Sequence, residues 1–250
     1  MRSRVRLATA QQRGTRHAMR GEPCCDRFLA KAHRSGPSGF VICDGAGGNA
    51  AVAAAAALGA RAGWRALLAV HRQLRRTPRR APALMVLRER FRRAFFHARP
   101  QAAPLMNHTV LACLWDRHYL VVAQVGDSSL LLRRGGEWSL PLPPAKGDFA
   151  NETTFLRPDT PTEAIGLWWA PAMDIEAVIG FSDGLEAAFL APQPGTPHVL
   201  VPNRPLAELV IGEHRRRHGS RGYPTWLASS LADPALRELS DDDLTLVIAA

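Results

Sequence analysis

Lysine is nearly missing from this chain. Only Lys31 and Lys146 occur among its 250 residues, so the 32 basic side chains are almost all arginine. With alanine also abundant, the bias reads as a coding preference as much as a design. Long apolar runs are missing too. A membrane-spanning helix needs about 20 apolar residues, and the longest candidate, 50–58, is mostly alanine and runs into Arg61. The basic start, 1–10, lacks the uninterrupted apolar core of a secretory signal. These absences predict a soluble, cytoplasmic protein with no membrane partner. Cysteine is sparse, limited to Cys24, Cys25, Cys43 and Cys113. Adjacent cysteines pair badly, and no Cys/His set has the spacing of a structural zinc site. No disulfide framework follows; Cys43 and Cys113, inside apolar runs, read as small buried hydrophobes.

What is present is ordinary globular material, 46% hydrophobic and 22% charged, of a length that predicts one domain over 1–250. The net charge of +10 raises nucleic acid or an acidic partner. Most of the excess lies in 61–99, where it coats the solvent faces of helices. Aromatic residues for base stacking are not interleaved with it, which argues against nucleic acid.

Two helices are predicted early. After the turn Asp44-Gly45-Ala46-Gly47-Gly48, residues 49–76 contain no proline, and Asn49 is the candidate N-cap. A second helix starts after Pro82, with Leu84, Leu87, Phe91 and Phe95 on one face. The middle reads as strands over 109–115, 119–125, 129–133 and 137–140, joined by short turns into an antiparallel meander. Further strands are expected at 39–43, 177–181 and 244–249, loops at 141–161 and 191–205, and helices at 206–217 and 223–232. Trp168-Trp169 reads as packing or a loop anchor in preference to a partner site. Helices bracketing mostly antiparallel strands predict an α+β sandwich.

Asp44, Asp127 and Asp183 share one context, immediately after an apolar strand and beside glycine, and Asp242 stands just before one. A strand end holds a carboxylate rigidly, and a neighbouring glycine lets a ligand approach. An aspartate beside glycine is also an ordinary turn signal, and for any single one the turn reading is the stronger. Four in this context favour carboxylates converging on hard divalent cations.

In order and spacing, Asp44-Gly45-Ala46-Gly47-Gly48, Val125-Gly126-Asp127-Ser128, Ser182-Asp183-Gly184-Leu185 and Asp242-Asp243-Leu244-Thr245 resemble the motifs of metal-dependent protein phosphatases, the type 2C serine/threonine family, in its bacterial form. The segment 147–153 resembles the flap of bacterial members, and Cys24-Cys25-Asp26-Arg27-Phe28 loosely matches the first family motif. The resemblance implies two antiparallel sheets flanked by helices, with two Mg²⁺ or Mn²⁺ ions at one end. Asp44 would bridge them, the Gly45 carbonyl would bind one, and Asp183 and Asp242 would complete the other. Asp26 would hold a metal-bound water, and Asp127 matches a third-metal position. Water activated between the ions would attack phosphorus in line. The implied substrate is a phosphoprotein carrying phosphoserine or phosphothreonine, written by a cognate kinase.

Departures from the family pattern mark open points. Cys25 stands where the family has Glu or Gln, and Asp243 where it has Asn. The family's phosphate-binding arginine would fall at Gly21, so Arg20 is the candidate and Arg16 the alternative. Ala187 occupies the second third-metal position. The alternative to a phosphatase is a phosphatase-like module that binds phosphoproteins or a signalling partner without turnover.

Overall fold

The computed structural model describes residues 6–77, 82–99, 107–145 and 153–250. In chain order its first half contains β1 (Leu7–Gln12), α1 (Thr15–Met19), β2 (Arg27–Lys31), β3 (Ser38–Cys43), α2 (Ala50–Arg76) and α3 (Leu84–Ala98). Then come β4 (Val110–Trp115), β5 (Tyr119–Val125), β6 (Ser129–Arg134), β7 (Glu137–Ser139), β8 (Gly166–Pro171), β9 (Ile175–Phe181) and α4 (Glu186–Phe189). The last part holds β10 (Leu190–Gln193), β11 (Thr196–Pro202), α5 (Arg204–Arg217), α6 (Tyr223–Leu231), α7 (Pro234–Leu239) and β12 (Leu244–Ala249).

Two five-stranded sheets, ordered β1-β12-β9-β6-β7 and β2-β3-β4-β5-β8, stack face to face. Every pairing within them is antiparallel. Alternation along each strand explains why both faces are apolar. Phe40 and Ile42 point between the sheets, against Leu130, Leu132, Val178 and Val247. Val41 and Cys43 point the other way, under Ala56, Ala60, Leu67 and Val70 of α2 and Phe91 and Phe95 of α3. The outer face of the other sheet, Leu131, Ile179, Leu246 and Ile248, lies under Ala207 and Ile211 of α5 and Leu227 of α6. The result is the expected α+β sandwich, helices outside and sheets inside. Phe40, Phe91, Phe95 and Phe181 are fully buried, each worth about 1.5–3 kcal/mol of transfer free energy.

Asn49 caps α2 as expected, its side chain accepting the N–H groups of Ala51 and Val52, both at 3.0 Å. Small residues bring that helix close to its sheet: a Cβ at Gly63 would stand 3.0 Å from Val41.

Three expectations fail. The predicted meander is broken, since β5 pairs with β4 and β8 whereas β6 pairs with β7 and β9. The chain changes sheets at Gly126, which takes a φ of +98°. A Cβ there would come within 2.6 Å of Thr109, so only glycine fits. Residues 191–205, expected as a loop, contain the β10–β11 hairpin and the start of α5. Its prolines are tolerated because the two strands pair only with each other. Strands β1, β2 and β8 were not anticipated; Trp168 and Trp169 lie in β8 and pack into the clusters on its two faces.

Candidate metal centre

Five carboxylates come from five segment ends. Asp44 follows β3, Asp127 follows the Gly126 turn after β5, and Asp183 opens a 3-10 turn after β9. Asp26 precedes β2, and Asp242 stands two residues before β12. Strands β3 and β5 run the same way because each pairs antiparallel with β4. Strand β9 ends where its antiparallel neighbour β12 begins. Topology alone therefore collects all five acids at one end of the sandwich.

The tightest group is Asp44, Asp127 and Asp183, with one carboxylate oxygen from each lying within 4.8 Å of the others. Thr109 fixes the backbone of Asp44, accepting its N–H on Oγ1 at 3.1 Å and donating its own N–H to the Asp44 carbonyl at 2.8 Å. The same hydroxyl meets Ser128 Oγ at 3.2 Å, joining the loops after β3 and β5. Thr153 donates its hydroxyl to Oδ2 of Asp127, while Oδ1 is buried with no hydrogen-bond partner. Asp26, 1% exposed, accepts from Thr245 Oγ1 at 2.7 Å, and its Oδ1 is likewise buried without a partner.

The electrostatics follow from crowding. Burial first, then the charges of Asp26, Asp183, Asp242 and Asp127, pushes the Asp44 carboxyl well above the usual range. Burial also lifts Asp183 to about 7, reinforced by Asp127, Asp242 and Asp26. Asp26 is lifted to about 7 by burial, against hydrogen bonds from Ser182 and Thr245 that favour its ionised form. Several buried carboxylates with free oxygens match the donor chemistry of a hard divalent cation. The residues fit such an ion.

Asp242 stands apart from the trio. Its Oδ2 accepts from Arg16 Nη2 at 2.6 Å and its Oδ1 from the Asp243 N–H at 2.8 Å. Neighbouring Asp243 is committed to backbone. Its Oδ1 accepts the Gly14 N–H at 2.7 Å and its Oδ2 the Cys25 N–H, with His17 Nδ1 at 3.1 Å. Although burial pushes upward, these donors hold its carboxyl below the ordinary value. An asparagine would offer one oxygen where this carboxylate uses two.

The two candidate phosphate anchors lie in different surroundings. Arg20 is exposed at the C-terminal cap of α1, where the chain turns outward at Gly21, φ +68°. Arg16, one turn earlier, is the arginine aimed at the acids: besides Asp242 it lies 3.9 Å from Asp241. Cys25 is buried beside Val52 and Ala53 at the start of α2. Gly45 sits against both segments, since a Cβ there would meet Val52 at 2.6 Å and the Cys25 carbonyl at 3.0 Å. Of the flap segment 147–153, only Thr153 lies within the described residues. His17 escaped the sequence reading, because one histidine in a polar stretch carries no periodic or motif signal.

A sequence model of the family described as protein phosphatase 2C matches residues 13–231. The chain belongs to that family. Serine/threonine-protein phosphatase 3 of Escherichia coli (strain K12) is 26% identical over 129 residues, 52% of this chain and 49% of that protein. The chain thus spans about half the length of this curated relative. Among solved structures, the Staphylococcus aureus serine/threonine phosphatase Stp1 superposes with a TM-score of 0.57 at 16% identity, covering 99% of this chain and 95% of that one. The Mycobacterium tuberculosis phosphatase PstP/Ppp gives 0.57 at 19%, covering 98% and 97%. The catalytic domain of PstP in complex with two manganese ions gives 0.52 at 17%, again covering 98% and 97%. At these identities the structural likeness speaks for the fold.

Proposed function

We propose that this protein phosphatase 2C family member is a Mg²⁺- or Mn²⁺-dependent phosphatase that removes phosphate from phosphoserine and phosphothreonine in proteins, with 1–250 acting as one catalytic unit. The observation that carries this is the convergence of Asp44, Asp127 and Asp183, from loops of both sheets, on a point where buried carboxylate oxygens lack proton donors. The manganese pair named for the PstP domain supports the same chemistry. Asp44, Asp183, Asp242 and the Gly45 carbonyl would hold two ions, and Asp127 would join them, taking a place beside Asp44 and Asp183 more central than a third-metal role requires. When bound, such ions supply a water activated at neutral pH and offset the charge on the transferring phosphoryl group.

The chain's own residues do the rest. Thr245 keeps Asp26 aimed into the site, and Asp243 pins the backbone of Gly14 and Cys25 so that the segment carrying Asp26 cannot drift. Arg16, turned toward the acids from α1, orients the phosphate through its planar pair of donors. Substrates are cytoplasmic phosphoproteins, marked by a serine/threonine kinase that this enzyme opposes.

The test is metal content together with initial rate on a phosphothreonine peptide, in Mn²⁺ and then in EDTA. Turnover that needs the metal supports the proposal; a protein that binds Mn²⁺ without turnover sinks it. That second outcome would favour a binding module, the reading to which Cys25, in place of Glu or Gln, lends its support.

A further inference from the structure

Away from the acids, α2 and α3 leave an open groove of about 750 Å³. Ala69 and Gln73 of α2 line it, with Met85, Val86 and Ala94 of α3. Met85 and Val86 are 43% and 51% exposed, large apolar side chains turned to solvent on a helix whose opposite face already fills the core through Leu87, Phe91 and Phe95. Arg90 and Arg93 make the rim cationic, with His97 beside them. Arg90 gives one donor to the Ala69 carbonyl at 3.1 Å, which fixes its stem across the groove. The acid on the rim, Glu89, pairs with both Arg92 and Arg93, which leaves one net positive charge among the three beside that of Arg90. A smaller apolar dimple, Phe96 and Pro158 between Arg92 and Arg93, continues along α3. In sequence the contrast is sharper still. Residues 61–99 contain twelve arginines and one acid, so this stretch alone carries +11 against a net +10 for the whole chain.

We propose that the α2/α3 groove docks an acidic amphipathic segment of a partner protein, setting large apolar side chains on Met85 and Val86 and carboxylates against Arg90 and Arg93. Charge complementarity selects the acidic character. The apolar floor selects a protein segment over nucleic acid, since a phosphate backbone gains nothing from Met85, Val86 and Ala94. The groove also offers no Phe, Tyr or Trp ring for base stacking. Its concavity suits a helix or extended segment better than a bilayer surface. Ala69 lies about 30 Å along α2 from the Asn49 cap, at 1.5 Å per residue, so docking here leaves the carboxylate end open. The proposal stands independently of the phosphatase reading.

The probe is a fluorescein-labelled synthetic helical peptide with leucine every third or fourth residue and glutamate elsewhere, titrated by anisotropy against the intact protein. Binding should weaken roughly tenfold or more for Arg90→Glu/Arg93→Glu, and similarly for Met85→Ser/Val86→Ser or when the peptide leucines become serine. Circular dichroism and unchanged metal uptake show that the variants fold. Absent binding, or binding that survives both pairs of substitutions, overturns the proposal. So does a serine peptide that binds equally well, which would reduce the effect to bulk charge. Duplex DNA or phosphatidylglycerol vesicles binding the groove more tightly than the peptide would overturn it in favour of another occupant.

Discussion

The two ends of α2 face opposite electrostatic worlds. At its N-terminus, five aspartates gather at one end of the sandwich, three of them in one tight group, and Asp26 and Asp127 each keep a buried oxygen without a partner. Toward its C-terminal half, arginines cover α2 and α3 with a single acid among them. A net charge of +10 averages over this separation and describes neither region. The acid end holds like charges together at a cost in stability that a cation would relieve. The basic face spreads its charge over solvent, where repulsion is screened and weak. Crowded, desolvated charge of one sign therefore marks a site more clearly than an abundance of exposed charge of the other sign.

The largest effect should come from emptying the acid end. Asp44→Ala, Asp183→Ala or Asp242→Ala should each abolish nearly all Mn²⁺-dependent hydrolysis of p-nitrophenyl phosphate, roughly a thousandfold or more by loss of a direct ligand. Circular dichroism should stay native. Two of the three retaining near-normal rates would dismantle the metal assignment. Asp242 is the informative member, because its carboxylate lies on Arg16 and outside the tight trio.

Next in size is the phosphate clamp, where Arg16 of α1 competes with Arg20 at its C-terminal cap. Arg16→Ala should lower kcat/KM on a phosphopeptide roughly ten- to a hundredfold, the worth of a charge-assisted bond of about 1.5–3 kcal/mol. Arg20→Ala should change it less than twofold, since that side chain is exposed. The reverse pattern would return the anchor to Arg20.

Those two arginines also show where sequence stops being legible. The helices over 50–76 and 84–98 and the strands at 119–125 and 244–249 announce themselves through local period and composition. Each Gly-Asp motif lies where a strand must end. The candidate acids stood out one by one in the sequence, but which of them meet did not. Asp127 joins Asp44 and Asp183 only because β5 and β3 run parallel through a shared neighbour, a fact of topology that no local window contains. The change of sheet at Gly126 was hidden for the same reason, since a turn inside a meander and a turn between sheets use the same residues. Strands β1 and β2, LATAQQ and RFLAK, lie at sheet edges and are only half-buried, so neither shows the apolar run that betrayed β3 and β4.

Metal should then separate the regions thermodynamically. Between about pH 4 and 7 the acid end of the metal-free protein should lose stability as pH rises, with little further change above that range. The folded state holds protons on Asp26 and Asp183 up to about 7, whereas the unfolded chain has released them from about pH 4 upward. Saturating Mn²⁺ at pH 7.5 should raise Tm by roughly 5–10 °C, from about 2.7 kcal/mol at a hundredfold excess over Kd. Arg90→Glu/Arg93→Glu should leave that shift intact, and Asp44→Ala should erase it. A shift that follows the arginines instead would mean that the metal acts through overall charge.

The smallest effect has the opposite sign and a different address. His214 is fully buried under α6, with Nε2 3.1 Å from the Arg6 carbonyl and Nδ1 2.7 Å from Tyr223 Oη. A carbonyl only accepts, so Nε2 carries the proton and Nδ1 accepts from the tyrosine. Burial chiefly, then the charges of His218, Arg6 and Arg215, lowers this imidazole to about 4. The unfolded chain takes up a proton near 6.5 that the fold refuses. Stability from this group is therefore complete above pH 6.5 and lost as pH falls toward 4. His214→Leu should be less stable than the parent at pH 7.5, because both hydrogen bonds go and Tyr223 loses its acceptor. By pH 5 the deficit should shrink by about 1–2 kcal/mol, since only the parent still carries the proton penalty. Urea denaturation of both proteins in EDTA at the two pH values measures it. A deficit that stays constant would mean that His214 is protonated in the fold and that the acid end governs the whole pH dependence.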